Sequence, residues 1–468
     1  ELTGSGTAHN ALTISLLLSI SQVLVDTNGN GKGVLIISDT LNHSSIVEGV
    51  RGSGARVQPF VHNDMTQLEA ALQHATECGQ PNGQPWRKII IIVEGIYSME
   101  GQFCRLREVV ALKKKYRAYL YLDEAHSIGA VGPRGRGVTD HLGVPTSDVD
   151  VMMGTFTKSF GSVGGYVAGS KEMVAALRRH AAGSLYAPAM SPPAAQQALS
   201  ALRVIMGSDP STGDLGQRKI AQLRENSNMF RKGLLAMGCR VLGDIDSPII
   251  PIMLYHPEKI CNFSRNCLKR SLAVVVVGFP ATPLLLSRSR FCIAASHTRE
   301  ELDAALGLVE AAAAETGVLY DRSIAKSAEL SGENLDAAAS QRKIELHTAP
   351  LEAPGPVTSW VPEPLIAPAL QGETSHEEAF AQAVSDAKKA VAADVDLRRT
   401  DFLQMAIDTQ TKKAAEDALY KYGCGTCGPR GFYGTLDVHI ELEKALATFL
   451  NTEKALSLIH ISEPTRRT

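Results

Sequence analysis

The sequence has no apolar run long enough to cross a bilayer. A span needs roughly 20 apolar residues. The longest candidate, ALTISLLLSISQVLV (11–25), carries serines and a glutamine and reads as a buried helix. An excess of one charge is also lacking. Lys and Arg number 47 against 49 Asp and Glu, a net charge of −2, which offers no electrostatic footing for nucleic acid or a basic membrane patch. Cysteine is sparse, with eight scattered over 468 residues, and this excludes a disulfide-dense secreted scaffold. The one close pair, Cys424 and Cys427, has zinc-like spacing but no second pair nearby, so no metal site is expected. The chain starts at Glu1, and an upstream anchor or signal is compatible with that start.

What is present is alternation. VLIIS, KIIIIV, AYLYL, VDVMMG and GGYVAG read as buried strands. TQLEAALQHA, REVVALKKKY and KEMVAALRRH place apolar residues three and four apart and read as helices. Strand-helix alternation predicts an α/β fold with a mostly parallel sheet and helices on both faces. From Gly238 the pattern shortens to SPIIPIMLY, a helix over KICNFSRNCLKRS, LAVVVVG and RFCIAAS, closed by an alanine-rich helix. The expected units are a large domain over 1–237, a smaller α+β domain over 238–320 and a Pro/Ala/Glu-rich linker over 321–375. A further segment over 376–458 has three helical stretches around GCGTCGPRGFYG. Residues 459–468 resemble adaptor read-through and are set aside.

In open α/β sheets ligands sit outside the carboxyl ends of the strands. Four predicted strands deliver polar groups there. VLIIS leads to Asp39, Asn42 and His43, and KIIIIV to Glu94 and Ser98. AYLYL leads to Asp123 and His126, and VDVMMG to Thr155 and Lys158. An amine and a carboxylate at neighbouring strand ends suit pyridoxal 5'-phosphate, whose aldehyde takes the lysine and whose ring nitrogen takes the carboxylate. Bland readings stand beside these: a solvated lysine for Lys158, a helix cap for Asp123, structural hydrogen bonding for His43, His126 and Ser98. The glycines after Lys158 suit either a turn or close backbone approach to a phosphate. In the smaller domain Arg290 is a candidate carboxylate clamp, with Arg288 the nearer alternative.

DTLNHSS, VEGIYSMEG, YLDEAHSIGAVGPRGRG, GTFTKSFGSVGGY, YAPAMSPP and VVVVGFPATP together resemble the α-oxoamine synthases, fold-type-I aminotransferase-like enzymes. TFTKSFG and GFPATP favour the catalytic subunits of the serine palmitoyltransferase branch. That resemblance implies pyridoxal 5'-phosphate as cofactor and L-serine and palmitoyl-CoA as substrates, in the first step of sphingolipid synthesis. The alternatives are a sister synthase using glycine or alanine, or a non-catalytic regulatory subunit. It implies Lys158 as the imine lysine, Asp123 on the pyridine nitrogen and His43 stacked on the ring. His126 and Ser98 would reach the phenolic oxygen, Thr155 the phosphate and Arg290 the serine carboxylate. WVPEPL and YGCGTCGPRGFYGTLDVHIELEKALATF resemble the start of the non-catalytic subunit, whose loop reaches the active site across a dimer interface; here that loop carries Cys427. A dimer or pseudo-dimer at the cytosolic face of the endoplasmic reticulum membrane is therefore expected. The catalytic-like part lacks its own copy of that glycine-rich segment, so residues 400–456 are expected to fold back into the vacant place, as in a circular permutation.

Overall fold

The computed structural model describes residues 31–320 and 395–459, apart from Pro280 and Phe432. The stretches 1–30 and 321–394 lie outside the described residues, and with them the apolar run 11–25, the linker, WVPEPL and the first helical stretch of the last segment. Residues 460–468 do too.

The large domain is built on a seven-stranded sheet in the order β12-β6-β5-β4-β3-β1-β2. Its strands are β1 (Val34–Asp39), β2 (Arg56–Phe60), β3 (Lys88–Glu94), β4 (Tyr119–Asp123), β5 (Val151–Thr155), β6 (Gly165–Gly169) and β12 (Lys454–Leu458). β2, β1, β3, β4 and β5 run parallel. β6 runs antiparallel to β5, and β12 antiparallel to β6. Every residue of β1 and of β5 is buried, as unbroken apolar runs require when both faces are covered. β2, not singled out in the sequence, is the exposed edge and carries Pro59, which blunts it against pairing with another chain.

Two helices cover one face: α1 (Ser44–Gly52) and, beyond α2 (Met65–Cys78), α3 (Leu106–Tyr116) and α4 (Val138–Leu142), α5 (Lys171–His180). They close a smaller core with Ile36, Ile92, Tyr121 and Val167. The other face carries the main core, to which α2, α3, α6 (Pro192–Met206) and α7 (Leu215–Ala236) contribute. The small domain has β7 (Ile249–Tyr255), α8 (Pro257–Leu268), β8 (Leu272–Ala273), β9 (Val275–Val277), β10 (Ser287–Cys292) and α9 (Arg299–Thr316). Its sheet runs β7-β10-β9. A capping box of Thr298 and Glu301 starts α9, satisfying two backbone donors that a helix start leaves open.

The last segment is not a unit by itself. It enters as β11 (Val395–Asp396), parallel to β8 of the small domain. The Leu397 carbonyl accepts from Cys292 N at 2.8 Å and the Phe402 carbonyl from Ala295 N at 2.8 Å. It then crosses to the large domain, where α10 (Thr409–Tyr422) and α11 (Asp437–Leu450) lie on α6. Val438, Leu442, Leu446 and Phe449 of α11, spaced three and four apart, enter the main core. β12 splits by period two: Ala455 joins the main core, Leu456 and Leu458 the smaller one. Residues 400–456 therefore do fold back, and β12 supplies the sheet edge beside β6.

Candidate active site

Asp123 and Glu94 end adjacent parallel strands in register with each other, and both are buried. Burial, with the Asp123 carboxylate beside it, pushes the Glu94 carboxyl well above its ordinary range, against a bond from the His43 backbone N–H. That bond fixes the start of α1, where His43 is the N-cap and its Nδ1 lies 2.8 Å from Ser45 Oγ. Asp123 Oδ1 accepts from Ala125 N at 2.8 Å, which starts the turn that carries His126. His126 is buried. Desolvation, helped by Lys158, Arg290 and His43, holds its imidazole well below the usual range, so it is neutral at physiological pH. Three of the other expected site residues, each from a different element, therefore act electrostatically on His126.

Lys158 lies in the loop after β5 and is 2% exposed, which rules out a solvated surface lysine. The loop closes on itself: Phe156 N donates to Gly164 O at 2.8 Å and Gly161 N to Lys158 O at 3.1 Å. The Thr155 hydroxyl is engaged inside the loop, 2.8 Å from Thr157 Oγ1 and 3.1 Å from Gly164 O. Gly161 and Gly164 have φ of +58° and +89°, a region open to glycine and strained for residues with a Cβ.

The two arginines separate. Arg288 Nη1 donates to Met99 O and to Glu100 Oε1, both at 2.9 Å, and its Nε to Leu286 O. It is a clamp between the domains. Among the described residues Arg290 makes only a long contact, Nη1 to the Ser98 carbonyl at 3.3 Å, and its buried Nε finds no hydrogen-bond partner there. Arg290 is the guanidinium with capacity for a carboxylate. Ser98 enters the site through its backbone carbonyl. Cys427 is exposed, at φ +56°, and is not among these buried groups. Its loop seats on the start of α6, where Gly428 O accepts from Ala189 N at 3.1 Å and Cys424 O from Ser191 Oγ at 2.6 Å.

Sequence reasoning did not single out Glu124. It is fully buried and accepts from Ser127 Oγ and, at 2.9 Å, from Val138 N, while Oε1 has no hydrogen-bond partner among the described residues. Burial pushes its carboxyl up to about 7. A Cβ on Gly137 would sit 2.4 Å from Glu124 Oε2 and one on Gly95 2.8 Å; these glycines give the carboxyl its place. Its position directly after Asp123 was the only available signal.

A mostly parallel sheet with a buried lysine and a buried carboxylate at adjacent strand ends, faced by an arginine from a smaller domain, is a fold-type-I architecture. The aminotransferase class I and II family matches residues 2–309, and the chain belongs to that family. Among its relatives, long chain base biosynthesis protein 2b of Arabidopsis thaliana is 56% identical over 68% of this chain and 62% of its own length. Serine palmitoyltransferase 3 of Homo sapiens is 49% identical over 65% of this chain and 52% of its own length. A high-resolution structure of SPT with PLP internal aldimine superposes with a TM-score of 0.58 at 31% identity, over 65% of this chain and 72% of that one. The chain thus spans about six tenths of the first of these curated relatives.

Proposed function

We propose that this chain carries the catalytic residues of a pyridoxal-phosphate-dependent serine palmitoyltransferase, which joins L-serine to palmitoyl-CoA and releases CoA and carbon dioxide to give 3-ketodihydrosphingosine. The observation that carries the reading is that Lys158, in the loop after β5, and Asp123, ending the adjacent strand β4, are both buried, in a chain similar to proteins of that name. The residues present fit the cofactor: an amine for its aldehyde and a carboxylate for its ring nitrogen, with Thr155 at the start of the Lys158 loop as the expected contact of its phosphate. When bound, pyridoxal phosphate supplies an aldehyde that takes up amines and a ring that accepts the electron pair left at a substrate Cα.

Each side chain then has a task. The Lys158 amine would hold the aldehyde before serine arrives and would take the serine Cα proton afterwards. Asp123 would keep the ring nitrogen protonated. His43, fixed as the N-cap of α1, would cover the ring. His126, neutral because it is buried, donates a hydrogen bond to the cofactor or substrate oxygen. Arg290 receives the serine carboxylate, while Arg288 is committed to Glu100. The new bond would join serine Cα to the acyl carbonyl carbon as the C–S bond breaks, and CoA would leave as thiolate and take a proton from solvent. The bond from Cα to the carboxylate would break in turn, carbon dioxide would leave, and the Lys158 ammonium would return a proton to Cα.

The same reading gives the chain a non-catalytic half as partner in a dimer or pseudo-dimer at the cytosolic face of the endoplasmic reticulum membrane. Its support is the kinship with long chain base enzymes. Among the described residues no helix is long and apolar enough to cross a membrane. The test is Lys158→Ala, assayed for 3-ketodihydrosphingosine and for borohydride-fixed cofactor. Turnover should fall by at least about 10³-fold and covalent fixation should vanish; full activity would sink the reading. Incubation with glycine or alanine in place of serine tests the sister synthases.

A further inference from the structure

The loop that carries Lys158 rests on the far end of the chain. Its two positive-φ glycines have no room for a side chain, and in both cases the obstacle is the C-terminal segment. A Cβ on Gly161 would lie 2.3 Å from the backbone nitrogen of Ala406. A Cβ on Gly164 would lie 2.5 Å from the carbonyl of Leu458. Both contacts are to backbone, which cannot rotate away as a side-chain tip can.

Each contact is itself held in place. Asp401 turns the chain at 401–406 by accepting from Met405 N at 3.0 Å and Ala406 N at 3.1 Å. The Met405 carbonyl accepts from Gln197 Nε2 of α6 and from Thr411 Oγ1 of α10, both at 2.9 Å. Lys219 Nζ of α7 donates to Leu403 O at 2.7 Å, and Phe402, Leu403 and Met405 are fully buried. At the other contact, β12 pairs with β6 along five residues, ending at Leu458 opposite Gly165. The loop is tied to α6 by Ser162 Oγ, which donates to Ala194 O at 2.6 Å.

We propose that residues 401–406 and β12 are positioning elements for Lys158, forming the floor on which the 156–164 loop is held so that the amine meets the cofactor. They act by denying the loop its alternative conformations, because glycine-rich turns without an opposing surface sample many backbone states. The reason for glycine at 161 and 164 is then close approach of protein backbone, where the sequence left open a close approach to phosphate. The proposal rests on the reading of Lys158 as the cofactor lysine, but its first test does not.

That test is amide hydrogen exchange on the full chain without cofactor, comparing wild type with Asp401→Ala and Asp401→Asn. Asp401→Ala removes both acceptors of the 401–406 turn and should speed exchange in the 156–164 loop about tenfold, with β3 unchanged, as local openings do. Asp401→Asn keeps one acceptor oxygen and should restore most of the protection. In a separate titration, pyridoxal phosphate should bind Asp401→Ala about tenfold more weakly, roughly 1.4 kcal/mol. Ala406→Gly, a milder change that loosens the turn while keeping the backbone contact, should speed loop exchange about threefold over wild type; it decides the matter if Asp401→Ala fails to fold. Unchanged exchange in 156–164 in these variants would overturn the proposal, as would acceleration spread equally over β3 and β4. Altered exchange with unaltered cofactor binding would overturn the link to Lys158 while leaving the packing.

Discussion

The two ends of the same strands are chemically unlike. At the carboxyl ends of β3, β4 and β5, Glu94, Asp123, Glu124, His126 and Lys158 are all buried. Burial perturbs Glu94, Glu124 and His126 in the direction of the neutral form. At the amino ends, a groove of about 650 Å³ is lined by Tyr119, Val149, Val151 and Met173, with Glu453 and Asn451 of the C-terminal segment beside them. The charges there are paired and partly solvated: Lys113 with Asp150 at 2.6 Å and Lys114 with Asp148 at 2.7 Å. Keeping ionisable groups dry is costly, because desolvation disfavours charge, and a cluster of them in one place marks a candidate site. Those at the amino ends carry a smaller cost.

The contrast can be broken at several points. Asp123→Asn should have the largest effect after loss of the lysine itself: kcat should fall about 10²–10³-fold, with the fold retained as judged by circular dichroism. Activity within a few-fold of wild type would leave Asp123 as a turn residue only. Arg290→Ala should raise KM for serine about 10–100-fold, the loss of a charge-assisted pair. Arg288→Ala should instead cost stability, about 3 kcal/mol in urea unfolding, by leaving Glu100 buried beside an empty place. Equal kinetic effects from the two would erase the distinction drawn between them.

Glu124 gives a pH signature. Its carboxyl rises from an ordinary value of 4.5 to about 7 in the folded chain. Between those values the folded state binds more protons than the unfolded one, so stability contributed by the protonated form is fully present below 4.5 and is lost as pH rises through 7. Glu124→Gln should flatten that decline, being up to about 3 kcal/mol more stable relative to wild type at pH 8 than at pH 4.5. Urea midpoints at both ends of the range read it; parallel curves would refute the assignment. The smallest effect belongs to the amino ends: Lys114→Ala, whose side chain is mostly exposed, should cost under about 1 kcal/mol and leave kcat and KM unchanged.

Much of this site was legible because it is local. Each of His43, Asp123, His126 and Lys158 follows an apolar run by a few residues, and strand ends in a parallel sheet share one edge. Arg288 and Arg290 were not separable, since two residues apart on β10 they share a face, and only Glu100 and Met99 decide which is occupied. Leu456 and Leu458 carried a period-two hint of β12, too short to read as a strand where it abuts an atypical tail.

By itself the sequence determined the fold class, the strand ends and the lysine with its carboxylate, because hydrophobic periodicity and the residues just beyond it are properties of neighbouring positions. Tertiary structure alone decided that Glu124 is dry, that Arg290 is the available guanidinium, and that the end of the chain closes the sheet and underlies the Lys158 loop. Those depend on contacts between residues far apart in sequence. A strand's own residues set its faces, but its neighbour across the sheet is set by everything else that must be buried.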